Sequence, residues 1–315
     1  MKKAMFMGRK LVYFALIAFP LLPARSIFAA DEVPAAPVFS PPGGAYNSAP
    51  MVKITDVTPG AVIYFTTNGE TPTVSSTRYT GVIAVSESET LKAIAVANGS
   101  SKSAVASATF NLLATVLRKL DVSAAKFRST TANFEFDSIQ TEPVPDKEVQ
   151  TGTVYYQRNG SEFKMAAHIT DENAKPVPKT YVYTDGTVKL YEKLINQVTT
   201  LSKAAQYESW FMLGFGASGK DLEQKWDITY LGPETIDGIK TEKLKLIPKD
   251  PAVKKNVPQV TVWMDTDRAV SVKQVIDQGS GNSRECLYSS IRVNQSLPGD
   301  AFTLKTDRQT TYVSH

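Results

Sequence analysis

The chain has 315 residues, of which 42% are hydrophobic, 21% charged and 10% aromatic. That balance excludes a disordered chain and, without long apolar runs, a multi-span membrane protein, while the length suggests two domains. Two His and one Cys leave no material for a zinc site, a Cys/His nucleophile pair or a disulfide framework.

Residues 1–30 read as a secretory signal peptide. Lys2, Lys3, Arg9 and Lys10 form a basic start, residues 11–24 are apolar around Pro20 and Pro23, and Ile27-Phe28-Ala29-Ala30 offers small residues for cleavage after Ala29 or Ala30. The apolar stretch is shorter than the ~18–20 residues a spanning helix needs, so an uncleaved anchor is the second reading. The expected localisation is periplasmic. The precursor carries 35 Lys+Arg against 31 Asp+Glu, a net +4. Five of those bases and no acid lie in residues 1–30, so the mature chain holds 30 bases against 31 acids. A nucleic-acid partner is thereby excluded for want of a basic surface.

Residues 31–111 form the first expected domain. Apolar or alternating runs at 52–57, 61–67, 81–85, 90–97 and 104–111 are separated by Pro41-Pro42-Gly43-Gly44, Pro59-Gly60, Asn68-Gly69 and Asn98-Gly99. Short strands at this spacing predict a small β-sandwich. The segments Pro41-Pro42-Gly43-Gly44-Ala45-Tyr46, Tyr64-Phe65-Thr66-Thr67-Asn68-Gly69-Glu70-Thr71-Pro72-Thr73 and Arg78-Tyr79-Thr80-Gly81 carry a resemblance. They are similar to the immunoglobulin-like domain at the C-terminus of chitobiases and β-hexosaminidases, with Asn68 where that family usually has Asp. The resemblance implies an accessory fold without catalytic activity. Tyr46, Tyr64 and Tyr79 are candidate platforms for a glycan, against the plainer expectation that strand aromatics belong to the core.

Residues 112–315 form the second. Leu113, Val116, Leu117, Leu120, Ala124 and Phe127 recur at helical spacing, with Asn111 as the expected N-cap. The period then changes to two: Phe134 and Phe136 share one face, as do Phe163, Met165, Ala167 and Ile169. Turns at Asn159-Gly160, Asp185-Gly186, Asp237-Gly238, 266–268 and 279–282 punctuate a long antiparallel meander, with a second helical stretch at 206–213. The expected fold class is mainly β, a large curved sheet or open barrel behind the sandwich, covered by helices. Cys286, within Arg284-Glu285-Cys286-Leu287-Tyr288, is expected to be a buried strand residue, with pairing between chains as the alternative.

The order of Gly152-Thr153-Val154-Tyr155-Tyr156, Thr184-Asp185-Gly186-Thr187-Val188-Lys189-Leu190-Tyr191, Tyr230-Leu231-Gly232-Pro233-Glu234, Val262-Trp263-Met264-Asp265 and Leu297-Pro298-Gly299-Asp300-Ala301-Phe302 resembles the periplasmic outer-membrane lipoprotein carrier (LolA-like) family. The resemblance implies an open β-barrel closed by helices over an apolar cavity for acyl chains, with membrane donor and acceptor proteins as partners. No charged residue of that family is carried over. Independently, a curved sheet of this length has more concave face than one helix fills, and an apolar cavity stays receptive to hydrocarbon. The candidate lining is Phe134, Phe136, Phe163, Met165, Trp210, Phe211, Met212 and Phe215. No cofactor, metal or catalytic set is expected. A lipid or lipoprotein sensor, or a glycan- or cell-wall-binding interaction protein, are the rival readings.

Gly214-Phe215-Gly216-Ala217-Ser218-Gly219-Lys220 has the spacing of a phosphate-binding loop, but Asp221 stands where that motif needs Ser or Thr. It is read instead as a Gly-hinged flap at the cavity mouth. His168, out of phase with the apolar face of its strand, is expected to be exposed to solvent.

Overall fold

The computed structural model describes residues 33–97, 101–160, 162–202, 213–279 and 281–314. The signal-peptide reading of residues 1–30 and nearly all of the second helical stretch lie outside the described residues. The N-terminal strands are β1 (Val38–Ser40), β2 (Gly44–Tyr46), β3 (Met51–Thr55), β4 (Val62–Thr66), β5 (Thr77–Arg78), β6 (Ile83–Ala84), β7 (Glu89–Ala97), β8 (Ser101–Lys102) and β9 (Ala106–Leu112). They make a three-stranded sheet, β1-β3-β6, and a six-stranded one in which β2-β9-β7-β4-β5 follow in order and β8 joins β7. Strict alternation in β3 sends Val52 and Ile54 inward and Met51, Lys53 and Thr55 out. With Phe39 and Val85 they meet Leu91, Ala93, Phe110 and Leu112 from the facing sheet.

Helix α1 (Leu113–Lys126) starts on the residue after β9. Asn111 is not its cap; it stays in the strand, and Leu112 occupies the N-cap position without a side-chain hydrogen bond. Leu112 is held there because its side chain is buried in the sandwich core, while its N–H donates to Ser88 Oγ at 2.8 Å. The helix then buries Leu113, Val116, Leu117, Leu120 and Ala124, the stripe that its spacing predicts.

The remaining strands are β10 (Ser129–Gln140), β11 (Asp146–Asn159), β12 (Glu162–Glu172), β13 (Lys175–Thr184), β14 (Thr187–Glu192), β15 (Gln197–Leu201), β16 (Trp226–Ile236), β17 (Ile239–Pro248), β18 (Gln259–Asp265), β19 (Val270–Gly279), β20 (Asn282–Val293) and β21 (Thr311–Ser314). They form one twelve-stranded open sheet in the order β16-β17-β18-β19-β20-β10-β11-β12-β13-β14-β15-β21, antiparallel except for the last pair. Among the described residues two short helices, α2 (Gly219–Lys225) and α3 (Pro251–Asn256), interrupt the meander. Asp185-Gly186 and Asp237-Gly238 each join paired strands with both residues at positive φ, the two-residue turn such dipeptides favour. Register shifts between β10 and β20, β11 and β12, β16 and β17, and β18 and β19 add local twist, which curls the sheet. The β10–β11 ladder runs to the ends of both strands, where Asp146, Lys147 and Glu148 pair with Gln140, Ile139 and Ser138.

Both ends of the sheet are managed. At β16 the side chain of Asn47 acts as a strand partner: its Nδ2 donates to Ile228 O at 3.0 Å and its Oδ1 accepts from Tyr230 N at 2.9 Å. This satisfies part of an otherwise open edge and ties the sandwich to the large sheet. At the other end β21 adds in parallel to β15 after the chain has crossed the outer face. On that crossing Ala301 O lies 2.9 Å from His168 Nε2, and the ring of Tyr155 meets that imidazole edge-on at 5.0 Å. His168 is therefore half-buried, not free in solvent, because the C-terminal segment covers its face of the sheet. Burial lowers its pKa, against opposing contributions from the Ala301 carbonyl and Asp300.

The expected flap is a packed segment. Phe215 is fully buried, Gly216 N donates to Ala269 O at 2.7 Å, and Ser271 N donates to Gly214 O at 2.6 Å. Ser218 caps α2 through the Asp221 amide, and the Asp221 carboxylate returns to Ser218. The Ser-x-x-Asp spacing is thus a capping box, with its acidic residue at the site where a phosphate loop needs a hydroxyl. Gly219 lies against α1, where a Cβ would sit 2.4 Å from Leu117 O and 2.7 Å from its carbonyl carbon. Backbone atoms cannot swing aside. Gly219→Ala is expected to cost about 1–3 kcal/mol in urea unfolding, whereas Gly81→Ala, with open space around it, should be nearly neutral.

Candidate functional site

Helix α1 serves one half of the sheet only. Its stripe packs with Trp226, Tyr230, Leu244, Leu246, Val260, Val262, Met264 and Ile276, from β16 to β19. Fourteen helical residues extend about 21 Å, while twelve strands span about 50 Å. The inner face of β10–β13 and β20 carries its own cluster, including Phe134, Val154, Tyr156, Phe163, Ile169, Tyr183, Cys286 and Tyr288. Over that face lies an open cavity of about 520 Å³.

Its lining comes from five strands. Phe134, Phe136 and Ser138 stand on β10; Glu148, Gln150, Val154 and Tyr156 on β11; Met165, Ala167 and Ile169 on β12; Tyr181 on β13; Arg284, Cys286 and Tyr288 on β20. Alternation puts each set on one face, and the antiparallel register aligns the sets. Tyr288, Phe134 and Gly152 are cross-strand neighbours, as are Cys286, Phe136 and Gln150.

The sequence candidates fall in three places. Phe134, Phe136 and Met165 line the cavity together. Phe163 and Phe215 lie outside that lining, in the buried cluster beside it. Phe163 tilts against Tyr156 at 5.9 Å and Tyr183 at 6.0 Å, and Phe215 stacks on Tyr156 at 3.9 Å with its face met edge-on by Tyr288. Trp210, Phe211 and Met212 lie outside the described residues. Sequence reasoning missed Tyr156, Tyr181, Tyr288 and Arg284, whose alternation along β11, β13 and β20 was the available signal.

The deep end of the cavity carries no charge at neutral pH. Tyr156, Tyr288 and Cys286 are linked by hydrogen bonds, and burial pushes all three upward in pKa, Cys286 to about 12. Polar groups begin at Gln150, in the row of Cys286 and Phe136, and gather beyond it. Gln150 Nε2 donates to Glu148 Oε1 at 2.7 Å and to Glu172 Oε2 at 3.3 Å, and Glu172 pairs with Lys179 at 2.9 Å. That lysine holds the Glu172 carboxyl below its ordinary pKa. Among the described residues no group of three His, Cys, Asp or Glu is arranged to hold a metal, and no helix is long and apolar enough to cross a membrane.

In the sandwich, Tyr46 packs on Phe110 at 5.8 Å and donates its hydroxyl to Pro42 O. Tyr79 meets Phe65 edge-on and accepts from Ile54 N. Tyr64, out of phase with Ile63 and Phe65 on β4, is the tyrosine of the three without a core role.

Residues 41–107 match the family model of the chitobiase/β-hexosaminidase C-terminal domain. A protein of Methanocaldococcus jannaschii is 28% identical over 116 residues, 37% of this chain and 32% of that protein. The chain thus matches about a third of that relative's length. Among solved structures, a chain of the Pseudomonas aeruginosa MucA/MucB complex is 13% identical over 61% of this chain and 60% of that one, with a TM-score of 0.39. A LolA superfamily protein of Nitrosomonas europaea is 15% identical over 61% of this chain and 97% of its own, with a TM-score of 0.33. LprF from Mycobacterium bovis gives 13%, 59% and 95%, with a TM-score of 0.35.

Proposed function

We propose that this is an exported, non-enzymatic carrier that binds acyl chains of lipids or lipoproteins in the cavity over β10–β13 and β20, for transfer towards the outer membrane. The observation that carries the reading is a hollow of about 520 Å³ over the sheet half that α1 does not pack on, walled by Phe134, Phe136, Val154, Met165, Ala167 and Ile169 with polar groups at one end. Each methylene moved there from water contributes about 0.8 kcal/mol, so a long chain binds without a charged partner. Phe134, Phe136 and Met165 would touch the chain, while Phe163 and Phe215 would shape the wall behind Tyr156. Trp210, Phe211 and Met212 remain candidates on sequence grounds. In this reading residues 1–30 are a cleaved signal peptide, residues 31–111 an immunoglobulin-like domain and residues 112–315 the carrier. The Asn47 contacts to β16 support a first domain that holds the carrier in a set orientation towards a membrane partner or a glycan.

Native mass spectrometry of protein purified from its own host should show bound lipid or lipopeptide. Met165→Asp places a carboxylate in the hollow and is expected to weaken fluorescent fatty-acid uptake at least tenfold, given the cost of burying a charge. Uptake unchanged in Met165→Asp and Phe136→Asp, with both variants folded by circular dichroism, would refute the carrier reading.

A further inference from the structure

The cavity is graded along the strands. Arg284, Ser138 and Glu148 form one cross-strand row at its polar end, since Ser138 is the register partner of both others. From Ser138 the lining of β10 steps to Phe136 and then Phe134, so polar groups give way to apolar rings within about 14 Å. That is the profile of an amphiphile, with the head at Arg284.

Arg284 is the one cationic side chain in the cavity lining, is exposed, and makes no hydrogen bond or ion pair among the described residues. The acids adjacent to it in register are committed elsewhere. Asp137 pairs with Lys147 at 2.7 Å and Glu285 with Lys273 at 3.1 Å, both being out of phase with the cavity lining and on the opposite face of the sheet. Glu148 stands two strands away, roughly 10 Å between backbones, and accepts from Gln150. A guanidinium with its donors uncommitted at the rim of an apolar hollow suits a planar or tetrahedral oxyanion, which it binds through paired N–H groups.

Resting on the acyl-chain reading, we propose that Arg284 seats the anionic head group of the bound amphiphile, a carboxylate or a phosphate, and so makes the cavity select anionic over neutral lipids. The full-length protein is titrated at pH 8 with dodecanoic acid, dodecyl phosphate and dodecan-1-ol, each read by displacement of a neutral naphthylamine probe. Both anions should bind about tenfold more tightly than the alcohol, one charge-assisted contact's worth. Arg284→Gln should bring them to the level of the alcohol without changing the alcohol's Kd, and Arg284→Lys should keep part of the difference. The anion that loses more in Arg284→Gln identifies the head group as carboxylate or phosphate. Equal binding of all three to the native protein, or an anion preference that survives Arg284→Gln, overturns the head-group assignment and leaves the acyl cavity standing. Failure of all three ligands to displace the probe overturns the acyl reading itself and the head-group seat with it.

Discussion

Phe215→Ala is expected to lower the unfolding free energy by about 3–5 kcal/mol, the range for truncating a buried phenylalanine in a core that relaxes only in part. The ring is fully buried, stacked on Tyr156 with an interplanar angle of 17° and met by Tyr288 at 88°. Its backbone has a bridge partner in Val270, and the following Gly216 lies on the ring of Phe127. Neither neighbour is free to move into the vacated volume. Urea unfolding should show a lower midpoint at an unchanged slope, as expected when stability alone has changed. A loss below about 0.5 kcal/mol, the range typical of a surface substitution, would mean that the 213–217 segment is a movable flap after all.

The second large effect concerns Cys286, the single thiol of the chain, on the cavity floor. Burial pushes its pKa to about 12; the charge of Asp137 adds to this and the hydrogen bond with Tyr288 opposes it. The thiolate is the species that attacks iodoacetamide, and raising a pKa lowers its fraction at any pH below that value. At pH 8 the folded protein should be alkylated at least tenfold more slowly than the same chain in guanidinium chloride, where burial no longer raises the thiol's pKa. Saturation with dodecanoic acid should slow the reaction further, because the ligand occupies the space in front of the sulfur. Mass spectrometry of timed samples reads both rates. A folded-state rate near the unfolded one would place Cys286 in solvent and remove the dry floor from the carrier argument.

Much of this fold is local information. The alternation of Phe134 with Phe136 and of Phe163 with Met165, Ala167 and Ile169 identifies the inner face of two strands, and the structure places all of them on that side of the sheet. The Asp-Gly turns close the hairpins they predict, and the helical stripe from Leu113 to Ala124 is buried. Where local signals competed with long-range ones they misled. Asn111 has the chemistry of a cap, but Leu112 is anchored in the sandwich and keeps the strand going. His168 has the phase of a surface residue, but a segment 133 residues later lies over it. Gly214 to Gly219 has the composition of a hinge, but those glycines allow close approach to Phe127 and to the backbone of α1.

The cavity divides along the same line. Period-two patterning is a property of each strand, so which side chains face inward was determined by the sequence alone. Which of those faces α1 packs on was not. That depends on a register joining β10 to β20, more than 140 residues away, and on a helix of about 21 Å docking over β16–β19 rather than at the centre of the sheet. The hollow is a difference between two areas, the concave face and the helix upon it, and that difference exists only once the chain has folded.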